Sequence, residues 1–180
     1  LVEQESQTGG SILSSNDYDN KISGKSQSEW KNKILEELSK FDNVKIITNT
    51  TLFAYMHYNY LLAIQDLQPN KGIDKANSIR QIIWKIRAKK VVLATGSIER
   101  FLTFNNNDRP GIMLANSVRK YFNHYKIKPG KNIVIFTNND SAYKTAIDFY
   151  QNNIPIKAIV DVRKESKGDL VTKAKNFGLK

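Results

Sequence analysis

Apolar and polar positions follow three different rhythms along this chain, and each rhythm predicts a different kind of element. Over residues 50–55, 60–67 and 78–87, β-branched, aromatic and aliphatic side chains come in short runs bounded by turn formers, the pattern of strands. Residues 44–47 read as one more short strand. Pro69, Asn70, Gly72 and Asp74 predict a turn over 68–77 that closes the last two of the longer runs into an antiparallel meander. Elsewhere the rhythm is helical. Trp30, Ile34, Leu38 and Phe41 recur at helical spacing behind Ser26-Gln27-Ser28-Glu29, a capping box with Ser26 as N-cap, so Trp30 belongs to the core side of that helix. Met113, Ala115, Val118, Tyr121 and Phe122 predict an amphipathic helix over 112–125, and another is predicted over about 141–151. Residues 14–24 are polar and turn-forming, a loop.

The third rhythm is the unbroken apolar run. Val91-Val92-Leu93 and residues 132–136 read as strands buried on both faces of a parallel sheet, with 156–162 as the next strand. The order of helix, short strand, meander, buried strand, and then strand, helix, strand predicts an α/β architecture. It is an FAD/NAD(P)-binding Rossmann-like fold with a β-meander in place of a crossover helix, and a second, inserted dinucleotide-binding-like βαβ unit. The expected division is 1–105, part of a first dinucleotide-binding domain lacking its N-terminal βα unit, and 106–180, the start of a second, glycine-poor one. The opening Leu1-Val2-Glu3 looks like a strand end with nothing before it, so the chain reads as an excerpt truncated at both ends.

Candidate chemistry sits at the ends of these strands. An acidic residue at the end of the second strand of a βαβ unit accepts hydrogen bonds from the adenosine ribose hydroxyls, and Glu3 fits that role. A carboxylate there repels a 2′-phosphate, which favours NAD or the adenosine end of FAD over NADP. Gly9-Gly10-Ser11 could bring main-chain amides near a phosphate, and an ordinary turn accounts for the same spacing. Ala94-Thr95-Gly96 places three small residues after the buried run, which suits close approach of backbone to a ligand or to another backbone. In the second unit, the turn Thr137-Asn138-Asn139-Asp140-Ser141-Ala142 contains no glycine. Side chains at those positions obstruct a pyrophosphate, so this unit is expected to keep the fold and to have lost conventional NAD(P)H binding. His57 has no carboxylate or second histidine near it in sequence, and no catalytic role is assigned to it.

Composition changes the picture in two places. A net charge of +11, from 28 Lys and Arg against 17 Asp and Glu, could signal a polyanion partner. The lysines are dispersed and do not alternate with aromatic residues on one face, so nucleic acid is not expected. The absence of cysteine excludes disulfides, thiolate metal sites and dithiol redox chemistry within these residues. No His, Asp and Glu cluster has metal-ligand spacing, and no apolar stretch is long enough for a membrane span.

The runs VVLATGSIER, NNNDRPGIMLANSVRKYFNHY and NIVIFTNNDSAYKTAIDFY closely resemble the alpha subunits of heterotetrameric sarcosine oxidase, members of the two-dinucleotide-domain flavoprotein superfamily. VEQESQTGGSIL, KIITNTTLFAYMHYNYLLAIQDL and IWKIRAKK resemble them as well, so the likeness spans nearly the whole chain. The resemblance implies a cytoplasmic, NAD-binding part of a multi-subunit flavoenzyme, with FAD as the alternative dinucleotide. It implies flavins on a separate beta subunit that oxidises sarcosine to glycine, hydrogen peroxide and a one-carbon unit. It also implies tetrahydrofolate handled by a C-terminal region outside these residues, further smaller subunits, and no catalytic residue here. Carried over residue by residue, Glu3 is the ribose contact and Gly10 with Ser11 lies near the pyrophosphate. Leu52 would offer a backbone contact to adenine, and Thr95 and Gly96 lie in the crossing near the dinucleotide. Phe101 stands where the family usually has proline, and Val2 replaces a common aspartate. Related amine, opine or glycine oxidase subunits, and a non-binding scaffold that docks the flavin subunit, are the alternatives.

Overall fold

The computed structural model describes residues 1–16, 21–67 and 79–179; the expected turn over 68–77 and part of the loop over 14–24 lie outside the described residues. The chain forms two compact units, one of residues 1–10 with 29–96 and one of residues 11–28 with 97–180.

In the first unit three antiparallel strands form the meander: β1 (Thr50–Met56), β2 (Tyr60–Asp66) and β3 (Gln81–Arg87), in the order β1-β2-β3. Alternation puts Thr50, Leu61 and Ala63 on one face, where all three are buried. On the same face Trp84 donates its indole N–H to Gln65 Oε1 at 2.9 Å, and Lys45 lies 4.7 Å from the Trp84 ring centre. β1 and β2 are joined by residues 57–59, where Tyr58 and Asn59 take left-handed backbone angles, as a tight hairpin between twisted strands requires. β1 is an edge strand and its register breaks at a bulge between Leu52 and Ala54. The helix α1 (Gln27–Ser39) begins directly after Ser26, where the capping box places it. Its apolar face is only half covered: Trp30, Ile34 and Leu38 are half-buried and Phe41 is exposed.

Two expectations fail in this unit. Residues 44–47 form no ladder strand; only Ile47 pairs, in an isolated parallel bridge to Val2 secured by Glu3 N–H to Ile47 O and Ile47 N–H to Leu1 O, both 2.9 Å. Val91-Val92-Leu93 does not enter a sheet either. No described strand lies beside it, and Val92 is 88 % exposed where burial on both faces was expected. A run becomes a buried strand only when neighbours supply its hydrogen bonds, so apolarity alone was insufficient.

The second unit is built on β4 (Ile133–Thr137), α3 (Ser141–Gln151) and β5 (Ile156–Asp161), a parallel βαβ unit at the expected positions. β4 pairs with β5 in parallel, from Ile133 against Ile156 to Thr137 against Asp161. α3 is buried along most of its length because it is packed on several sides. Ala142 and Ala146 meet Ile135 of the sheet, while Tyr143 and Ile147 meet Val171 and Ala174 of α4 (Asp169–Asn176), a helix the periodicity reading did not include. On a further side lies α2 (Ala115–Asn123), whose Phe122 ring meets the Phe149 ring edge-on at 5.3 Å. The first turn of α2 has no cap from its own N-cap residue, Leu114. Glu99 supplies one from upstream, its Oε2 accepting from Asn116 N–H at 2.8 Å.

Candidate functional site

In the first unit Glu3 is locked by its main chain. Its N–H donates to Ile47 O and its carbonyl accepts from Thr50 N–H, both at 2.9 Å. Its side chain turns back so that Oε1 accepts from Glu5 N–H at 2.9 Å. That arrangement holds a half-buried carboxylate in one orientation and leaves Oε2 without a hydrogen bond among the described residues. A carboxylate so held can accept a further hydrogen bond from a hydroxyl. Leu52 lies two positions beyond Thr50 on the edge strand, next to the bulge, where main-chain polar groups are left outside the ladder. The structure therefore brings Glu3 and the start of β1 together.

The other sequence-predicted residues are not tied to that corner by any hydrogen bond among the described residues. Gly10 opens a 3-10 turn (Gly10–Ser14) that also contains Ser11, and both are exposed. Thr95 and Gly96 sit in an exposed segment outside any element. Gly96 has φ +68°, with nothing within 4 Å of where a Cβ would stand, so glycine there answers a left-handed backbone with open space beside it.

In doubly wound sheets ligands bind outside the carboxyl ends of the strands. At that end of β4 and β5 the polar groups of the turn and of the strand end are hydrogen-bonded to side chains of the unit itself. Asn139 Oδ1 accepts from Ser141 N–H at 2.9 Å and from Ser141 Oγ at 2.5 Å, so an amide that a phosphate would use at the start of α3 is already satisfied. Thr137 Oγ1 accepts from Asn139 N–H at 3.1 Å and donates to Asn139 O at 2.9 Å, closing the turn. Asp161 ends β5, the place of a ribose-binding carboxylate. Arg163 grips it through Nε and a terminal guanidinium nitrogen, at 3.0 and 2.6 Å, and the Tyr143 hydroxyl donates to it at 2.9 Å. The same guanidinium reaches Asp140 at 2.7 Å, tying the turn to the strand end. Gly168 completes the closure: a Cβ there would lie 2.6 Å from Asp140 Oδ2. Sequence reasoning did not find this clasp, and its one local signal was an acidic residue at the end of the strand.

The Arg163 hydrogen bonds hold the Asp161 carboxyl at about 2, below its ordinary 3.8. A carboxyl depressed by folding stabilises the fold fully above its unfolded value and loses that contribution as pH falls toward the folded one. The depression corresponds to about 2 kcal/mol for a shielded pair, and to about 1 kcal/mol after solvent screening at this partly exposed site. Acid titration of the full-length protein should therefore show a loss of stability in the second unit between pH 4 and 2. Asp161→Asn should remove that loss, and an unchanged acid limb in the variant would refute the assignment.

A cavity of about 560 Å3 lies in the second unit; apolar residues including Phe104, Met113, Phe136 and Phe149 line it, and so do Thr137, Asn138 and Asn139 at the carboxyl end of β4. None of the six predicted contact residues lines it. Among the described residues no group of three or more His, Cys, Asp or Glu could hold a metal ion, and no helix is long and apolar enough to cross a membrane.

No family model matches the chain. Sarcosine oxidase subunit alpha of Rhizobium meliloti is 35 % identical over 97 % of the chain, and that of Corynebacterium sp. strain P-1 is 37 % identical over 91 %. The chain is related in sequence to one stretch of the sarcosine oxidase alpha subunits. It spans 17 % of the length of each of these relatives. The crystal structure of L-proline dehydrogenase from P. horikoshii aligns with 94 % of the chain and 31 % of its own, with a TM-score of 0.67 at 21 % identity. That likeness shows the fold, a mixed α/β, Rossmann-like architecture. The resemblance to sarcosine oxidase alpha subunits read from VVLATGSIER, NNNDRPG and FTNNDSAY is thus borne out.

Proposed function

We propose that this chain is the adenine-dinucleotide-binding stretch of a sarcosine oxidase alpha subunit, working within a multi-subunit oxidoreductase that acts on CH–NH bonds. The observation that carries the reading is the likeness to named alpha subunits over nearly the whole chain. The geometry at Glu3 supports it, because a fixed, half-buried carboxylate beside an edge strand suits an adenosine ribose. In this reading residues 1–105 belong to the binding domain and 106–180 to a second domain that holds no nucleotide. The dinucleotide is NAD, with FAD as the alternative, held as a largely structural cofactor. Glu3 binds the ribose, Gly10 and Ser11 face the pyrophosphate, Leu52 offers main chain to adenine, and Thr95 and Gly96 pass close to the dinucleotide. A bound nicotinamide or flavin ring could accept a hydride, but no residue of this stretch is assigned to chemistry. Oxidative demethylation of sarcosine to glycine, hydrogen peroxide and a one-carbon unit belongs to a flavin-bearing beta subunit. The one-carbon unit passes to tetrahydrofolate through another part of the alpha subunit. The complex works in the cytoplasm.

Mass spectrometry of nucleotides released from the purified complex tests this reading. One equivalent of NAD per alpha subunit is expected in addition to the flavins. Recovery of no adenine dinucleotide beyond the flavin-subunit stoichiometry would overturn it and leave a scaffold that docks the flavin subunit. The occupied turn at Asn139 and Ser141 supports loss of nicotinamide binding in the second unit. Titration of the complex with NADH should accordingly show no second equivalent, and a second equivalent weakened by Asn139→Ala would contradict that loss.

A further inference from the structure

Asp148 lies in the middle of α3 and is 2 % exposed. A carboxylate buried there is tolerated only if donors surround it, and an apolar residue would satisfy packing alone without that requirement. Its donors are unusual in where they come from. Arg119 Nε donates to Oδ2 at 2.6 Å and Asn123 Nδ2 donates to the same oxygen at 2.7 Å; the two residues sit one turn apart on α2. Oδ1 accepts from Asn16 Nδ2. The Asn123 amide nitrogen has two protons, and it also donates to the Ser14 carbonyl at 2.7 Å. One donor to Asp148, Asn16, and one acceptor from Asn123, the Ser14 carbonyl, thus belong to residues 14–16, a polar segment that has no apolar side chain of its own to pack. Hydrogen bonding is what docks it.

We propose that Asp148 is a positioning residue which, through Asn123 and directly through Asn16, clamps residues 14–16 and thereby fixes the Gly10–Ser14 turn. The clamp stands on the observed hydrogen bonds. Its consequence for ligand binding rests on the reading above, which places Gly10 and Ser11 at the pyrophosphate. Fixing the turn before binding removes an ordering cost that the dinucleotide would otherwise have to offset, so affinity depends on a carboxylate that does not touch the ligand.

The test uses the full-length subunit assembled with its partners, carrying Asn16→Ala or Asn123→Ala; Asp148→Asn is the harsher variant. Hydrogen exchange of amides 11–15 should accelerate about tenfold in either alanine variant, while α3 amides stay protected. NAD+ added as a probe to dinucleotide-stripped enzyme should bind about tenfold more weakly. Thr145→Val is the comparison, since Thr145 is equally buried on α3 and bonds only within the helical layer, to Ala115 O. It should lower stability without moving either readout. Exchange and Kd within twofold of the unmodified protein, or an equal change in Thr145→Val, would overturn the clamp. If the unmodified enzyme itself fails to bind NAD+, the functional reading falls, and the exchange data alone decide the clamp.

Discussion

Phe149→Ala should destabilise the second unit by about 3–5 kcal/mol, the largest effect expected of a single truncation in this chain. Phe149 is 0 % exposed and sits on α3 with its ring edge-on to Phe122 of α2, so removing it deletes both the buried area and the aromatic pair. The residue also borders the 560 Å3 cavity, and a site already beside empty space has few neighbours that can move in to fill the gap. With domains stable by only about 5–15 kcal/mol, such a loss takes a large share of the total. Native-state hydrogen exchange of α3 amides in the full-length protein reads it directly. Phe136→Ala is the matched comparison, because Phe136 is 39 % exposed and pairs with Phe104 at 5.3 Å. It should cost about 1–2 kcal/mol. Equal losses in the two variants would mean that α3 does not carry the core of this unit.

Glu3→Gln should weaken NAD binding by roughly 10- to 100-fold, the range expected when hydrogen bonds to a charged acceptor become bonds to a neutral one. Glutamine keeps the length of the side chain and can still accept from Glu5 N–H, so the fold at the Val2–Ile47 bridge should be unaffected. The variant separates charge from shape. It should also narrow the preference for NAD over NADP, since the carboxylate that repels a 2′-phosphate is gone. Calorimetric titration of the stripped complex with each nucleotide measures both effects. Unchanged affinity for NAD would remove Glu3 from the site and with it the main geometric support for the functional reading.

The elements that were legible beforehand are those whose signal is carried by their own residues. α3 lies at Ser141–Gln151, where the pattern put it, and β4 and β5 form the expected parallel pair. The meander strands fall within a few residues of their predicted ends, because alternation and turn formers are local properties. The weaker readings are informative for the opposite reason. Val91-Val92-Leu93 has the composition of a buried strand, yet it lies exposed and without a ladder, because a strand is completed by partners and not by its own side chains. α4 was missed although Leu170, Val171, Ala174 and Phe177 carry helical spacing; its burial comes from Tyr143 and Ile147 on α3. Among the candidate contacts, Glu3 stands beside an isolated bridge and in no strand of its own. Its main chain is held by Ile47 and Thr50, far along the chain, and its carboxylate is oriented by the neighbouring Glu5 N–H.

By itself the sequence determined the α/β class, the meander, the βαβ unit, the glycine-free turn and the kinship with sarcosine oxidase alpha subunits. Only the tertiary structure decided that Asp161 is held by Arg163 and Tyr143, that Asn139 occupies the start of α3, and that Asp148 reaches back to Asn16. The reason is physical. Helical and strand periods are set by bond geometry within a few residues, whereas the partner of a buried charge is chosen by which distant segments the packed core brings within hydrogen-bonding reach.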